Sequence, residues 1–363
     1  MPASTALDRH LADVLLVQID AGAYADAIEC SDRAGGGIVL TGEKALAAAE
    51  YVLDHRQYGR PVLIDRSRYS GKSRRRARDS FDPNWISRQR RLGLPVVLPD
   101  AGYVGRDDEV GLVSILTRVA NLGPGVVAPL PLHPSWLNAK VNLPRLIEHI
   151  QVAGVPVAVA LEHQSDPLSA RYAFDGLMDV LKLPVPVILL RSDVSAIGAL
   201  CFGATAAAVG TKSSLRHIYP VPKEDSFGRR PTTAAVVKGC LAYASLDKIA
   251  LAVQVDREDL LWTCDCPVCA GQTLDWLGSA PDSEAAASLH SLETLYRIRR
   301  ALFGHDGLAT AAERRQVWIA QCSSARFEHL RIERATAHRW VPPPALDHWA
   351  RHTYQEVNQP STS

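Results

Sequence analysis

The stretch VPVILLRSDVSAIGALCFGATAAAVG, residues 185–210, contains the pattern that decides the fold. An apolar run at 185–193 is followed by a short helical segment at 196–202 and by a second apolar run at 206–210. Strands that are apolar nearly throughout are typical of sheets covered on both faces, and a helix between two such strands predicts a parallel β-α-β unit.

The same alternation of apolar runs and amphipathic segments, separated by Gly or Pro, extends over residues 38–254. The predicted strands are 38–41, 61–65, 95–100, 126–132, 155–162, 185–193, 206–210 and 248–253. The predicted helices are 43–55, 110–122, 143–153, 170–182, 196–202, 232–244, 290–302 and 311–333. Eight β-α units predict an α/β fold, a (β/α)8 TIM barrel, which leaves no free sheet edge. The alternative is an open doubly wound sheet, but no G-x-G-x-x-G turn follows the first predicted strand.

The length of 363 residues, 47% of them hydrophobic, suits one barrel of about 250 residues with an appended segment. We expect an N-terminal extension at 1–37, the barrel at 38–256, a zinc-binding helical segment at 257–345 and a tail at 346–363, of which 358–363 looks disordered.

The formal net charge of +1 does not indicate an acidic or nucleic-acid partner, so such a partner must be inferred from local patches. The N-terminus lacks the pattern of a signal peptide, and no apolar stretch is long enough to cross a membrane. Seven cysteines, three of them within six positions, indicate metal binding in a reducing compartment. We therefore expect a cytoplasmic protein without a membrane partner.

A metal motif follows the last predicted strand. Cys264, Cys266 and Cys269 form a C-x-C-x-x-C tract, and His290 begins the next predicted helix. Three thiolates and one imidazole make a closed shell for a structural Zn²⁺ ion. A reactive dithiol, a chance cluster and an iron–sulfur cluster are the alternatives.

Charged and polar side chains end several predicted strands. They are Asp65, Asp100, His133, Glu162, His163, Arg191, Asp193 and Lys212. In parallel barrels the chemistry lies at this end of the strands, so four carboxylates from different strands predict an active site. The alternative for each Asp is that it caps the helix that follows.

A basic segment follows the second predicted strand. Its cations are Arg66, Arg68, Lys72, Arg74, Arg75, Arg76 and Arg78, with Arg88, Arg90 and Arg91 shortly after. Such a segment at the mouth of a barrel would attract a phosphate backbone, with Arg74, Arg75 and Arg76 as the central contacts and Tyr69 available to stack on a base. A solvated, partly disordered basic loop is the alternative.

The chain resembles the tRNA-guanine transglycosylase superfamily, the queuine and archaeosine tRNA-ribosyltransferases, in which a barrel is followed by a C-x-C-x-x-C…H zinc site. The zinc motif with Leu289-His290-Ser291-Leu292 carries the resemblance, and Pro99-Asp100-Ala101-Gly102-Tyr103-Val104 is similar to the D-S-G-G-F-Q loop of the family. The resemblance implies that Asp100 contacts the exchanged base, with Gly102 permitting close approach. We also expect Tyr103, Glu162, Arg191 and Lys212 to contact the substrate.

The sequence departs from the family at the nucleophile. In the family an Asp on strand seven attacks the nucleoside, whereas the corresponding stretch here, 208–216, contains no Asp. Asp193, kept ionised by Arg191, is the predicted replacement, and Asp65 is the next carboxylate to consider.

Three functions therefore remain open. The first is base exchange on tRNA or DNA, in which a purine or 7-deazapurine base is inserted. The second is a non-catalytic zinc-containing subunit that binds nucleic acid, a second copy of the chain or a catalytic partner. The third is a phosphate-binding TIM-barrel enzyme that uses the segment around Lys212.

Overall fold

The computed structural model describes residues 6–22, 25–221, 232–304 and 307–352. Its strands are β1 (Val14–Asp20), β2 (Gly37–Thr41), β3 (Val62–Asp65), β4 (Ala128–Leu132), β5 (Val157–Leu161), β6 (Val187–Ser192), β7 (Ala206–Gly210), β8 (Ala234–Val237) and β9 (Ala242–Ser245). Its α-helices are α1 (Ala6–Leu11), α2 (Ala25–Ala34), α3 (Ala45–Asp54), α4 (Pro83–Arg91), α5 (Glu109–Ala120), α6 (Leu143–Ala153), α7 (Arg171–Val180), α8 (Ser195–Cys201), α9 (Leu246–Val255), α10 (Ser283–Phe303), α11 (Ala311–Ala335) and α12 (Pro344–Ala350). The predicted disordered tail, 358–363, lies outside the described residues.

Seven strands form one curled parallel sheet in the order β3-β2-β1-β7-β6-β5-β4. One face of the sheet packs on helices, and the other face gathers side chains from β1, β2 and β3 with those of β5 to β7 and with Val127, just before β4. Leu16, Val39, Leu63 and Ile188 belong to this second cluster, together with Val96 from the segment before β4. Because apolar side chains from both edges of the sheet meet in one cluster, the sheet curls around it.

The complete eight-stranded barrel that the sequence predicts is not seen in the described residues. The predicted strand at 95–100 makes one isolated parallel bridge, between Val97 and Val126, and no ladder joins it to β3. Pro95 and Pro99 lack amide hydrogens, which prevents regular pairing on either side of Val97. The architecture is therefore an α/β half-barrel with a partial eighth segment at its β4 edge.

The predicted N-terminal extension, 1–37, contains a strand that the sequence analysis missed. β1 lies in the middle of the sheet and pairs in parallel with β2 and β7. Its polar Gln18 is fully buried. The burial is compensated because the side-chain amide donates to Thr41 and Asp65 and the amide oxygen accepts from the backbone of Arg191. The expected domain boundary at 38 thus falls inside the sheet.

Two predictions after β7 are wrong. The predicted strand at 248–253 is helix α9, in which Ile249, Ala252 and Val253 are buried at helical spacing. The predicted helix at 232–244 is the antiparallel hairpin β8–β9, which turns at Leu241 with a φ of 46°. Ala-rich runs of this length are compatible with both periods, and packing on α10 selects the strand.

Other elements agree with the sequence. Predicted helices 43–55, 110–122, 143–153, 170–182, 196–202 and 311–333 correspond to α3, α5, α6, α7, α8 and α11, and 290–302 lies within α10. No helix among the described residues is long and apolar enough to cross a membrane.

Gln18→Leu should destabilise the protein by about 1–3 kcal/mol, because it leaves the buried Arg191 amide without its acceptor and removes one of the two donors to an oxygen of Asp65. The free energy of unfolding in urea measures the loss. Gln164 is exposed, so Gln164→Leu is the matched control. It should change the free energy of unfolding by less than about 0.5 kcal/mol. Equal values for the two variants would show that Gln18 does not hold the centre of the sheet.

Candidate functional site

The predicted site residues meet at the carboxyl edge of the sheet. Asp65 ends β3, Glu162 follows β5, Asp193 follows β6 and Lys212 comes shortly after β7. This is the edge at which α/β folds of this kind bind ligands. The basic segment 66–78 passes over the same edge, so arginine and carboxylate side chains meet there.

Asp65 is held inside a hydrogen-bonded network. One carboxylate oxygen accepts from the Tyr69 hydroxyl at 2.5 Å and from the Gln18 amide at 3.1 Å, and the other accepts from the Ser67 amide at 2.8 Å. Burial raises the pKa of Tyr69 far above its usual range, so the hydroxyl keeps its proton and donates it to Asp65. Both oxygens of Asp65 are thus engaged within the protein.

Arg191 completes this network. The sequence predicted that Arg191 would pair with Asp193, but its side-chain hydrogen bonds go to other partners. Its guanidinium donates to the Tyr69 hydroxyl, the Ser67 hydroxyl and the Ser214 carbonyl, and lies 3.8 Å from Asp65. Arg191 has a φ of 51°, at the position where the pairing between β6 and β7 shifts register. A non-glycine residue in the left-handed region costs energy, which the buried network offsets.

Asp100 is also compensated within the protein. Its carboxylate accepts from the Asp82 amide at 2.8 Å and from the Arg66 guanidinium at 3.2 Å, and Arg75 lies 3.8 Å away. Asp82 caps α4 and shares Arg66. The family-like role of contacting a base would require Asp100 to exchange one of these partners for a ligand.

Glu162 forms a third paired group. It accepts from the Tyr103 hydroxyl at 2.6 Å and pairs with Arg74, whose guanidinium carbon lies 3.7 Å from the centre of the Tyr103 ring. Desolvation raises the pKa of Tyr103 far above its usual range. Arg74 is therefore occupied by a buried carboxylate and an aromatic ring rather than displayed to solvent.

The basic segment is mostly paired with acidic side chains. Arg66 and Arg68 contact Glu43, and Arg75 and Arg78 contact Asp79 and Asp108. Arg76 is exposed, and none of the described residues forms an ion pair with its side chain. Of the three predicted nucleic-acid contacts, Arg74 and Arg75 already neutralise carboxylates, and Arg76 is exposed.

Gly102 permits a close approach, although the neighbour is this segment rather than a ligand. A Cβ atom at position 102 would lie 2.2 Å from the backbone oxygen of Arg76. The Tyr103 amide donates to the Arg75 carbonyl at 2.8 Å, and the Ala77 amide donates to the Tyr103 carbonyl at 3.1 Å. Gly102 thus seats the basic segment against the sheet.

The segment after β7 is folded back on the strand. A Cβ atom at Gly210 would lie 2.3 Å from the backbone of Leu215, and the amides of Thr211, Leu215 and Arg216 donate to carbonyls of the protein. Lys212 is exposed and lies 4.0 Å from Glu284. These three amides donate within the protein and are therefore not available to a phosphate.

Asp193 differs from the other carboxylates because it lines a cavity. The cavity has a volume of about 260 Å³ and lies beyond the ends of β5 and β6, with Asp166, Arg216, His217 and Tyr243 also in its wall. One oxygen of Asp193 accepts from the amide of Ser195, the first residue of α8, at 2.8 Å, although the N-cap position of the helix is Val194. Among the described residues no cation forms an ion pair with Asp193.

Asp166 and His217 were missed by the sequence analysis. Burial and the charge of Asp193 raise the pKa of Asp166 to about 7, and burial lowers the pKa of His217 to about 4. Asp166 follows β5 by five residues and His217 lies in the segment after β7. Their position at the carboxyl edge was the available signal, but the sequence does not show that the two segments meet.

The predicted metal ligands come together. The Sγ atoms of Cys264, Cys266 and Cys269 and a ring nitrogen of His290 all lie within 4.8 Å of one another. The Nδ1 atom of His290 lies 3.6, 3.6 and 3.2 Å from the three sulfurs. A tetrahedral zinc ion with bonds of about 2.3 Å to sulfur and 2.0 Å to nitrogen places these atoms about 3.6 Å apart, so the cluster could hold a metal ion.

The second nitrogen of His290 fixes which atom faces the cluster. Nε2 lies 2.8 Å from the Val236 carbonyl, an acceptor, so Nε2 carries the proton and Nδ1 keeps its lone pair for a metal. Cys266 and Cys269 are fully buried in a small core with Trp262, Leu277 and other apolar residues. Hydrogen bonds among the three cysteines lower the pKa of Cys266 and raise the pKa of Cys269.

Gly102→Ala should destabilise the protein by about 1–3 kcal/mol, because the added methyl group collides with the backbone of Arg76. Gly105→Ala is the matched control, since a Cβ atom there meets no described atom within 4 Å. Chemical denaturation of both variants measures the difference. A destabilisation of Gly105→Ala as large as that of Gly102→Ala would contradict the assigned contact.

No protein-family model matches the chain, and no curated protein matches it either.

Proposed function

We propose that the protein is a base-exchanging glycosyltransferase that acts on nucleosides within a nucleic acid, with Asp193 as the nucleophile. The observation that carries this proposal is the contrast among the carboxylates of the sheet edge. Asp65, Asp100 and Glu162 are paired with arginines, whereas Asp193 faces a cavity that can accept a ligand. A nucleophilic carboxylate needs a lone pair directed at the substrate, and Asp193 has one oxygen that the hydrogen bond from the Ser195 amide does not use.

In the proposed reaction the carboxylate of Asp193 attacks C1′ of a nucleoside. The bond between C1′ and the base breaks, a glycosyl ester forms on Asp193, and a second base then displaces the ester. The exposed cations Arg76 and Lys212 lie in segments that follow β3 and β7 and offer contacts to phosphates. The resemblance to the transglycosylase superfamily supports the proposal, with a purine or 7-deazapurine as the exchanged base.

A non-catalytic role is the second candidate. The end of β7, where the family resemblance would place the nucleophile, carries Gly210, Thr211 and Lys212 and no carboxylate. A protein that binds nucleic acid or a catalytic subunit, and does not itself exchange bases, would need no carboxylate at this position. The two candidates differ in whether a labelled base enters the nucleic acid.

Asp193→Asn should lower the rate of base exchange by at least about 10³-fold, because an amide cannot replace the carboxylate as nucleophile. The measurement is incorporation of labelled guanine or 7-deazaguanine into mixed tRNA and DNA, together with a search for a covalent protein–nucleic acid adduct on denaturing gels. The asparagine can still accept from the Ser195 amide, so the melting temperature should stay near that of the unmodified protein.

The matched control is Asp179→Asn, which changes a carboxylate on the exposed side of α7. It should leave exchange and adduct formation unchanged. Full exchange by Asp193→Asn would show that the nucleophile is another residue, with Asp65 the next to test. Absence of exchange by the unmodified protein, with binding retained, would favour the non-catalytic role.

We also propose that the metal is a single structural Zn²⁺ ion. The four ligands fill a tetrahedral shell and leave no position for water. The ion would therefore stabilise the region after β7 and take no part in the reaction.

Metal analysis of protein purified without added metal should find about one zinc per chain, and chelation should lower the melting temperature. Cys266→Ser should lose the metal. Cys30→Ser is the control, because a hydroxyl can keep the hydrogen bond that Cys30 donates to Glu293, and it should keep the metal. A well-folded sample with less than about half an equivalent of any metal would count against the site.

A further inference from the structure

The cavity beside Asp193 has the size and lining of a pocket for one small planar ligand. Its volume of about 260 Å³ is slightly below the range of about 300–1,000 Å³ found for drug-sized ligands. Leu161, Leu168 and Leu189 supply apolar walls, and the Tyr243 ring adds an aromatic surface. A single heterocyclic base fits such a space better than a complete nucleotide does.

Two polar atoms in the pocket residues lack partners. The Oδ2 atom of Asp166 and the Nε2 atom of His217 are buried, and neither has a hydrogen-bond partner among the described residues. His217 as a whole is only 6% exposed. Buried polar atoms without partners cost free energy, and both atoms belong to residues that line this one cavity.

The position of Asp166 is fixed independently of a ligand. Its Oδ1 atom accepts from the Leu168 amide at 2.9 Å and caps the 3-10 turn Pro167–Ser169, which leaves Oδ2 as the atom without a partner. Asp193, on the neighbouring strand end, lines the same pocket and acts on Asp166 through its charge. The negative charge of Asp193 therefore favours the protonated form of Asp166.

We propose that Asp166 and His217 bind the base that is exchanged and that Asp166 is the general acid that protonates it as it leaves. This inference rests on the proposed function and extends it from the nucleophile to the leaving group. A protonated Asp166 offers a donor at Oδ2, and a neutral His217 offers either a donor or an acceptor at Nε2. The ligand class is a neutral heterocycle whose edge carries both donors and acceptors.

The step balances in atoms and electrons. The carboxylate of Asp193 donates an electron pair to C1′, and the bond between C1′ and the base nitrogen breaks with its pair on the nitrogen. The proton on Oδ2 of Asp166 passes to the base, so a neutral base leaves and Asp166 becomes a carboxylate. The incoming base then returns a proton to Asp166 as it attacks C1′ and releases Asp193.

The ionisation of Asp166 suits this role. Burial and the Asp193 charge raise its pKa to about 7, so the acid is available at neutral pH. The charged and titratable groups that line the pocket with it are Asp193, Arg191, Arg216, His217 and Tyr243. Arg191 is held by the Asp65 network, and Arg216 donates to the carbonyls of Gly210 and Thr211 and stacks on Tyr243.

The first test measures binding of free 7-deazaguanine to the full chain by calorimetry. The unmodified protein should bind about tenfold more weakly at pH 8 than at pH 6, because the donor form of Asp166 falls from about nine-tenths to about one-tenth of the population. Asp166→Asn should bind 7-deazaguanine with the same affinity at both pH values. The asparagine keeps the bond to the Leu168 amide.

The melting temperature controls for folding and tests the ionisation separately. A raised folded-state pKa means that the folded protein loses stability as the pH rises from about 4 to about 7, and that the loss is complete above 7. Asp166→Asn should therefore melt higher than the unmodified protein at pH 8 and at the same temperature at pH 4. Asp179→Asn should show neither effect.

The second test uses exchange. Exchange by the unmodified protein should fall above about pH 7, and Asp166→Asn should be slower by about 10²–10⁴-fold without that fall. A nucleoside whose leaving group needs no protonation should restore much of the activity of Asp166→Asn.

The outcomes separate this inference from the proposed function. If the unmodified protein binds the base with the expected pH dependence but exchanges nothing, the proposed function fails and the pocket assignment stands. If Asp166→Asn keeps the pH dependence of binding, or if the unmodified protein binds the base at neither pH, the pocket assignment is overturned.

Discussion

The structure depends on the neutralisation of carboxylates at the carboxyl edge of the sheet. A carboxylate removed from water without a partner costs several kcal/mol, and the curled sheet brings several of them to one buried rim. Arg191 compensates Asp65, Arg66 compensates Asp100 and Arg74 compensates Glu162. The basic segment 66–78 follows β3 because that position lets its arginines reach this rim, and Gly102 allows the segment to lie against the chain there.

This distribution of charge explains why one part of the edge differs from the rest. Among the described residues no arginine forms an ion pair with Asp166 or Asp193, and the charge of Asp193 favours a proton on Asp166. A protein that needed only stability would place a cation or an apolar residue there. Under the proposed function, Asp166 would serve as the acid and Asp193 as the nucleophile.

The sequence predicted local features better than it predicted how segments pair. The four metal ligands followed from their spacing, because thiolates and an imidazole at short separation leave few other interpretations. β1 was missed because Gln18 and Asp20 interrupt its apolar pattern, and only the structure shows that Gln18 is satisfied by three different segments. The function of the basic segment was equally invisible, since an arginine that binds phosphate and one that binds a buried carboxylate have the same local sequence.

Helix α10 connects the metal cluster to the sheet and shows how the two parts depend on each other. His290 belongs to the cluster, and the next residue, Ser291, accepts from the Val236 amide of β8. Further along the same helix, Tyr296 donates to the Leu15 carbonyl of β1, and Arg299 donates to the Asp13 carbonyl just before it. Helix α10 thus carries Ser291, next to the ligand His290, and also Tyr296 and Arg299, which anchor the central strand β1. Ordering of the cluster by a metal would therefore also order α10, the helix that anchors β1. Strand β1 carries Gln18, which lies beneath the Asp65–Arg191 network at the proposed active edge.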